Sequence, residues 1–133
     1  MTFEKLGLIP QILSALVPLG YTKPTPVQAK VIPLALEKKD IIATAQTGTG
    51  KTAAYVLPLL QHLARKAQKE TTKRQIRALI LVPTRELASQ VSLSVERYGK
   101  DVNVQSIAIY GGVKLTPQTK KLHKGADLMI ATP

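Results

Sequence analysis

Ala45-Gln46-Thr47-Gly48-Thr49-Gly50-Lys51-Thr52 is the stretch on which the fold turns. A short apolar run, Ile41 to Ala43, precedes it, and a helical pattern begins near Lys51. Strand, glycine-rich loop and helix in that order form a phosphate-binding loop, the P-loop. Its backbone N–H groups turn inward around a phosphate, and the helix start adds unsatisfied amides and the positive end of a dipole. Gly48 and Gly50 can take backbone angles denied to other residues, and without side chains they let phosphate oxygens come close. Lys51 supplies positive charge for the outer phosphates, and the Thr52 hydroxyl suits magnesium. Ala45 stands where glycine is usual, so this is a variant of the motif. The competing reading is a glycine-rich turn capping an ordinary helix; the apolar run before it argues against that.

Working outward, strands and helices alternate beyond residue 40. Ile41 to Thr44 is expected as the first strand. The helix after the loop carries Ala53, Val56, Leu57, Leu60 and Leu63, with Pro58 expected to kink or shorten it. Lys66 to Arg77 is basic and aperiodic, so it reads as a surface loop. Ala78 to Val82 is a continuous apolar run, the pattern of a strand covered on both faces. Pro83-Thr84-Arg85-Glu86 leads into a helix reaching Tyr98, with Gly99 as terminator. Val104 to Tyr110 is a third strand, followed by Gly111-Gly112. A basic helix from about Pro117 to Gly125 and a fourth strand, Leu128 to Ala131, complete the chain. The pattern predicts an α/β fold with a parallel sheet flanked by helices.

Before the loop, apolar positions at Leu6, Ile9, Leu13, Leu16 and Val17 suit one helix within Phe3 to Leu19, with Pro10 in its first turn. Gly20-Tyr21 ends it. A second helix opens on a capping box, with Thr25 as N-cap, Pro26 at N1 and Gln28 at N3. Residues 3–40 thus form an N-terminal region attached to a core at 41–133.

Composition narrows the classes. At 133 residues the chain holds one domain at most. Aromatics are 4% and tryptophan is absent, so the core must be aliphatic. There are no cysteines and two histidines, His62 and His123, which excludes disulfides and gives no ligand cluster. No apolar run is long enough to span a membrane, and no signal peptide is visible. A cytosolic or nuclear-type protein is expected, with the cytoplasm as compartment. The net charge of +11 favours a polyanionic partner. The runs Lys66-Lys69-Lys73-Arg74-Arg77 and Lys120-Lys121-His123-Lys124 read as solvated faces rather than as further nucleic-acid sites.

Taken with the P-loop, the spaced elements resemble the first RecA-like domain of DEAD-box ATP-dependent RNA helicases, over essentially the whole chain. Phe3 and Gly20 to Gln28 resemble the Q motif with its isolated upstream aromatic. Ala45 to Thr52 is similar to the family's own P-loop, in which alanine leads. Pro83-Thr84-Arg85-Glu86-Leu87 resembles motif Ia, Gly111-Gly112 the GG motif, and Thr132-Pro133 the opening of motif Ib. The resemblance implies ATP and Mg2+ as cofactors. It assigns nucleotide contacts to Phe3, Tyr21, Lys23 and Gln28, and to Ala45, Gln46, Thr47, Gly48, Thr49, Gly50, Lys51 and Thr52. Lys51 and Thr52 are also the catalytic positions, and Thr52 the metal position. Gln28 has an amide able to donate to and accept from the adenine edge, a pairing guanine would reverse. Phe3 offers a face for the base to stack on. Pro83, Thr84, Arg85, Gly111, Gly112 and Thr132 are implied RNA contacts: a row of amides, one guanidinium and a hydroxyl that suits a sugar–phosphate backbone without reading bases. Glu86 is left out, because acids favour a helix's first turn.

The stretch read here contains no Asp-Glu-Ala-Asp segment, no Ser-Ala-Thr element and no second RecA-like domain. The expected fold is therefore an incomplete RecA-like P-loop domain. The 133 residues alone are expected to be catalytically incompetent, since hydrolysis needs a magnesium-holding carboxylate and an arginine finger. In the resembled fold the strands bearing the two missing motifs lie between the P-loop strand and the motif Ia strand. An opened sheet centre, a need for the remainder of the core in cis or as a separate chain, and self-association through open edges are the corresponding expectations. The alternatives are a non-catalytic nucleotide- or RNA-binding module and a different P-loop NTPase. Gln28 and Pro83 to Leu87 argue against the last.

Overall fold

A computed structural model describes residues 1–65, 73–112 and 114–133. The N-terminal region holds a 3₁₀ turn at Phe3–Leu6, helix α1 at Pro10–Leu16 and helix α2 at Pro26–Leu36. The core follows with α3 (Lys51–Arg65), β1 (Ala78–Leu81), α4 (Arg85–Tyr98), β2 (Ser106–Ile109), α5 (Leu115–Lys124) and β3 (Leu128–Ala131). The single helix expected over Phe3 to Leu19 is two pieces. Gly7 sits in the left-handed region and breaks the chain, and Pro10 starts α1 at N1.

The sheet is parallel, in the order β1-β3-β2, with Leu128 of β3 level with Ala78 and Ser106. Its strands are shorter than the apolar runs predict: β1 stops at Leu81, and β2 covers Ser106–Ile109 instead of residues 104 to 110. The core is aliphatic, as composition requires: Ile12, Leu16, Ile32, Leu57, Leu60, Leu128 and Ile130 are almost wholly inaccessible. Helix α3 runs through Pro58 without stopping. Pro58 lies fully buried there, so packing outweighs the lost hydrogen bond.

Two expectations about the sheet need correction. Ile41 to Thr44 is not a strand, and Ile42 is 98% exposed. Among the described residues no backbone hydrogen bond ties this segment to a neighbour, and an apolar run becomes a strand only where another edge pairs with it. Likewise β1 is covered on one face only. Ile80 is buried while Leu79 and Leu81 are exposed, because β1 is an edge strand whose second face opens into a cleft. The cleft is about 600 Å3 and lies between β1, the 41–43 segment and helices α2 and α3.

The basic 66–77 loop is partly accounted for. Lys66 and Lys69 lie outside the described residues. Arg74 and Arg77 are engaged with the carboxylate of Asp127, at 2.5 and 2.9 Å. They are structural cations there, not a free basic surface. Lys120, Lys121, His123 and Lys124 are exposed along α5, as a solvated face requires.

Candidate functional site

The capping box predicted from Thr25 to Gln28 is present on both sides. Gln28 N–H donates to Thr25 Oγ1 (3.4 Å), and Thr25 N–H donates to Gln28 Oε1 (3.0 Å). This leaves the Gln28 carboxamide aimed past the start of α2, where Nε2 donates to the Gly50 carbonyl at 3.2 Å. One buried side chain therefore joins the N-terminal region to the P-loop. The amide keeps one unused N–H and one unused lone pair.

The loop itself is a turn over 47–49 leading directly into α3. Thr49 Oγ1 donates to the Gln46 carbonyl (2.6 Å), which closes the turn. Gly48 and Gly50 both have positive φ, +82° and +83°. A side-chain carbon at Gly48 would meet nothing within 4 Å, so the space beside it is open. Lys51 reaches back over the loop, its Nζ donating to the Ala45 carbonyl at 2.6 Å. Gln46, Thr47, Gly48 and Lys51 are thus exposed to solvent at the N-terminus of a fifteen-residue helix. Thr52 is half-buried, close enough to Tyr55 to interact with its hydroxyl. Burial pushes the Tyr55 hydroxyl above its ordinary value, and Thr52 offsets part of that rise. Among the described residues no group of three or more His, Cys, Asp or Glu could hold a metal.

Gly50 is the tightest point. A Cβ there would overlap Gln28 Nε2 and come within 3.2 Å of its Cδ. Two hydrogen bonds and near-complete burial keep Gln28 from moving aside. Gly50→Ala should therefore lose about 1–2 kcal/mol from the left-handed backbone alone. It should also weaken nucleotide binding by at least about tenfold, since a loop displaced by even about 1 Å misplaces its amides. Thermal unfolding and titration with a fluorescent nucleotide would check both; unchanged affinity with unchanged stability would contradict the packing.

The aromatic positions differ from expectation. Phe3 is 3% exposed, and its ring stacks on Tyr21 with centroids 6.1 Å apart and planes 18° apart. As it stands, Phe3 offers no open face to a base. It is the chain's single phenylalanine, and the aliphatic core draws it inward. The ring nearer to solvent is Tyr21, which is half-buried. Its hydroxyl meets that of Tyr98 at 2.7 Å, tying the N-terminal region to the end of α4. Burial, reinforced by Tyr21, pushes the Tyr98 hydroxyl well above its ordinary range. Lys23 is exposed.

The second group of predicted residues shares one rim. Pro83 to Arg85 follow β1, Gly111 and Gly112 follow β2, and Thr132 follows β3, all at the carboxyl ends of parallel strands. Thr84 caps α4 by accepting from Leu87 N–H at 3.2 Å. That cap fixes where Arg85 leaves the helix. The Arg85 guanidinium reaches the glycine turn, and its Nη1 would lie 3.0 Å from a Cβ placed on Gly112. Arg85 is exposed and only loosely approached by Glu86, at 3.9 Å. Thr132 N–H donates to the Ile109 carbonyl at 3.1 Å, which binds the rim together.

Three contributors have no local sequence signature. Gln61, fully buried on α3, accepts from Ile9 N–H (2.7 Å) and donates to the Gly7 carbonyl (2.9 Å). His62, half-buried, bonds the Ala35 carbonyl at 2.9 Å, clamping α3 against α2. Tyr98 completes the link to Tyr21. All join segments distant in sequence, so only a buried polar side chain in an apolar helical face could have hinted at them.

The DEAD/DEAH box helicase family model matches residues 25–133. DEAD-box ATP-dependent RNA helicase 40 of Arabidopsis thaliana is 43% identical over 100% of this chain, which is 12% of that protein. Probable ATP-dependent RNA helicase ddx27 of Dictyostelium discoideum is 48% identical over 99% of the chain and 16% of its own length. A solved DEAD box protein from the hyperthermophile Methanococcus jannaschii superposes with a TM-score of 0.87 at 42% identity, covering 100% of this chain and 35% of that one. The RNA-helicase Prp28 from Chaetomium thermophilum, solved bound to ADP, gives 0.87 at 37% identity, covering 99% and 32%. The chain thus spans about a third or less of the length of these relatives.

Proposed function

Because this chain belongs to the DEAD/DEAH box helicase family, we propose that it supplies the ATP- and RNA-contacting part of the first RecA-like domain of an ATP-dependent RNA helicase. The observation that carries the reading is the hydrogen bond from Gln28 to Gly50, which sets an adenine-competent amide against a phosphate loop. A phosphate-binding loop alone would serve any nucleoside triphosphate; the attached amide gives a reason for adenine.

The loop suits a nucleotide's outer phosphates. The space beside Gly48 is open, α3 presents its first amides at the loop's end, and Lys51 is held by one exchangeable bond to Ala45. Gln46, Thr47 and Thr49 belong to the turn, and in this reading Gln28 and Tyr21 meet the base. Phe3 acts in this reading as backing for Tyr21. Magnesium fits less completely. Thr52 offers one hard oxygen, and among the described residues no group of three or more His, Cys, Asp or Glu could complete a metal site, so the remaining ligands must be phosphate oxygens, waters or residues from elsewhere in the protein. When bound, the ion neutralises charge on the phosphates. The residues of this chain orient those phosphates and hold positive charge at the Lys51 ammonium.

For RNA, the rim carrying Arg85, Gly112 and Thr132 presents a guanidinium, amides and a hydroxyl at consecutive strand ends. Such groups grip phosphates and sugars in any sequence. RNA-stimulated ATP hydrolysis and local strand separation are the activities proposed for the intact protein, with the rest of the helicase core supplying the missing carboxylates and arginines. No helix among the described residues is long and apolar enough to cross a membrane.

The test is nucleotide selectivity in the intact protein. Gln28→Ala should weaken ATP by about tenfold or more relative to GTP, the size expected for one lost bidentate base contact. Equal losses for ATP and GTP would show that Gln28 only props the loop. A stretch that binds neither RNA nor any nucleotide would sink the reading altogether.

A further inference from the structure

Strand β2 forms one edge of the sheet, and among the described residues no strand pairs with its outer side. Leu128 N–H donates to the Gln105 carbonyl and Thr132 N–H to the Ile109 carbonyl, so the odd-numbered positions face β3. By the alternation of a strand, Ser106, Ala108 and Tyr110 turn their amides and carbonyls outward. The last of these is already satisfied: Tyr110 N–H donates to Gln118 Oε1 on α5 at 2.9 Å, and Gln118 is itself buried. Ser106 and Ala108 have no such cover among the described residues. They lie along a groove of about 540 Å3 walled by α4 and α5.

The two walls differ in chemistry. The crossover through α4 runs across the sheet from β1 to β2, and the one through α5 runs back from β2 to β3. Right-handed crossovers in opposite directions lie on opposite faces of the sheet. The α4 wall presents Leu93, Ser89 and Ser92 with one acid, Glu96, and the α5 wall presents Lys121 and Lys124. Helix α5 has no acidic residue anywhere along its length.

We propose that the open edge of β2 is a docking site for an extended acidic peptide segment, which adds to the sheet as a further strand. Main-chain hydrogen bonds to Ser106 and Ala108 supply the pairing. Alternate side chains of the added strand point to opposite faces. Apolar ones meet Leu93 on the α4 side, and carboxylates meet Lys121 and Lys124 on the α5 side. An alternating apolar and acidic strand is therefore the matching partner. Nucleic acid is the weaker reading of the same lysines: the floor offers peptide-spaced donors and acceptors in alternation, whereas a phosphate backbone has acceptors only.

The site is independent of the nucleotide loop, so its failure would leave the helicase assignment untouched. The experiment uses the intact protein and a fluorescein-labelled ten-residue peptide of alternating valine and glutamate, read by anisotropy. Saturable binding is expected, weakening with salt and falling at least about tenfold in the K121E/K124E double variant. A peptide N-methylated on the amides of one edge should not bind in that orientation, and one methylated on both edges should not bind at all. Equal binding of the doubly methylated peptide would overturn strand addition. Ala108→Pro removes one donor at an edge position that tolerates proline, and should weaken the peptide while leaving ATP turnover unchanged. Should that variant fail to fold, the methylated peptides decide without it. A uridine decamer that displaces the peptide and loses affinity in the double variant would overturn the proposal in favour of a nucleic-acid surface.

Discussion

Replacing Lys51 with alanine should reduce ATP turnover of the intact protein by at least about a hundredfold, and should leave its stability within about 0.5 kcal/mol of the parent. The two halves of this expectation come from the same geometry. Lys51 is exposed and makes one hydrogen bond, to the Ala45 carbonyl, so its removal empties no core and strands no buried charge. Yet the ammonium is the only side-chain cation of the loop, placed where the α3 amides converge. Charge developing on transferred phosphate oxygens would lose its fixed partner. Lys51→Arg is expected to rescue little, because a planar fork cannot occupy the place of a compact ammonium folded over the loop. Turnover near the parent value for Lys51→Ala, with unchanged melting, would remove the loop from the reaction. Parallel loss of turnover and stability would mean that the Ala45 bond is structural.

How far this site was legible depended on whether its parts were local. The capping box at Thr25 and Gln28 is a contact between neighbours three residues apart, so spacing alone located it. The glycine torsions at 48 and 50, the Thr84 cap and the start of α4 are equally local. The bond from Gln28 to Gly50 crosses twenty-two residues, and no pattern announces it. Sequence supplied the two ends and the fold joined them. Phe3 marks the limit in the other direction. An isolated aromatic near a nucleotide motif suggests a stacking face, but whether that face is open depends on what packs over it, here Tyr21 and the core.

The sheet shows why apolar runs mislead. Ile41 to Thr44 and Ala78 to Val82 carry the composition of buried strands, and such composition reports the environment of a finished sheet. Pairing is a property of two segments. With no strand lying between them among the described residues, the first segment stays unpaired, with Ile42 exposed, and the second buries Ile80 but not Leu79 or Leu81. An apolar cleft of about 600 Å3 lies between them.

Asp127→Ala should destabilise the fold by about 3 kcal/mol or more, the largest loss expected from any single polar side chain here. The carboxylate is wholly buried at the start of β3. It accepts from Arg74 Nη1 (2.5 Å), Arg77 Nη2 (2.9 Å) and the Gln105 backbone N–H (2.9 Å). Arg74 continues to Asn103 Oδ1 and Arg77 to the Leu63 carbonyl, so one acid organises the segment before β1, the approach to β2 and the end of α3. The packing is close: a Cβ on Gly125 would overlap the Arg74 carbonyl. Removing the acid leaves the buried side of the Arg74 guanidinium and the partly exposed Arg77 guanidinium without their shared carboxylate, which is why the loss exceeds that of a surface pair. Asp127→Asn keeps the shape but turns one acceptor into a donor aimed at an arginine, and should lie between the two. Burial by itself would raise the Asp127 carboxyl; the Gln105 N–H and the Arg77 and Arg74 guanidiniums outweigh it and hold the group below its usual value. A depressed folded-state value means that the stabilisation is fully present above the unfolded value of about 3.9 and is lost as pH falls toward the folded one. Chemical denaturation at pH 7 and at successive steps below pH 4 should therefore show the parent and Asp127→Ala converging in acid. Curves that stay parallel through that range would show that the stability of the clasp does not reside in its charge.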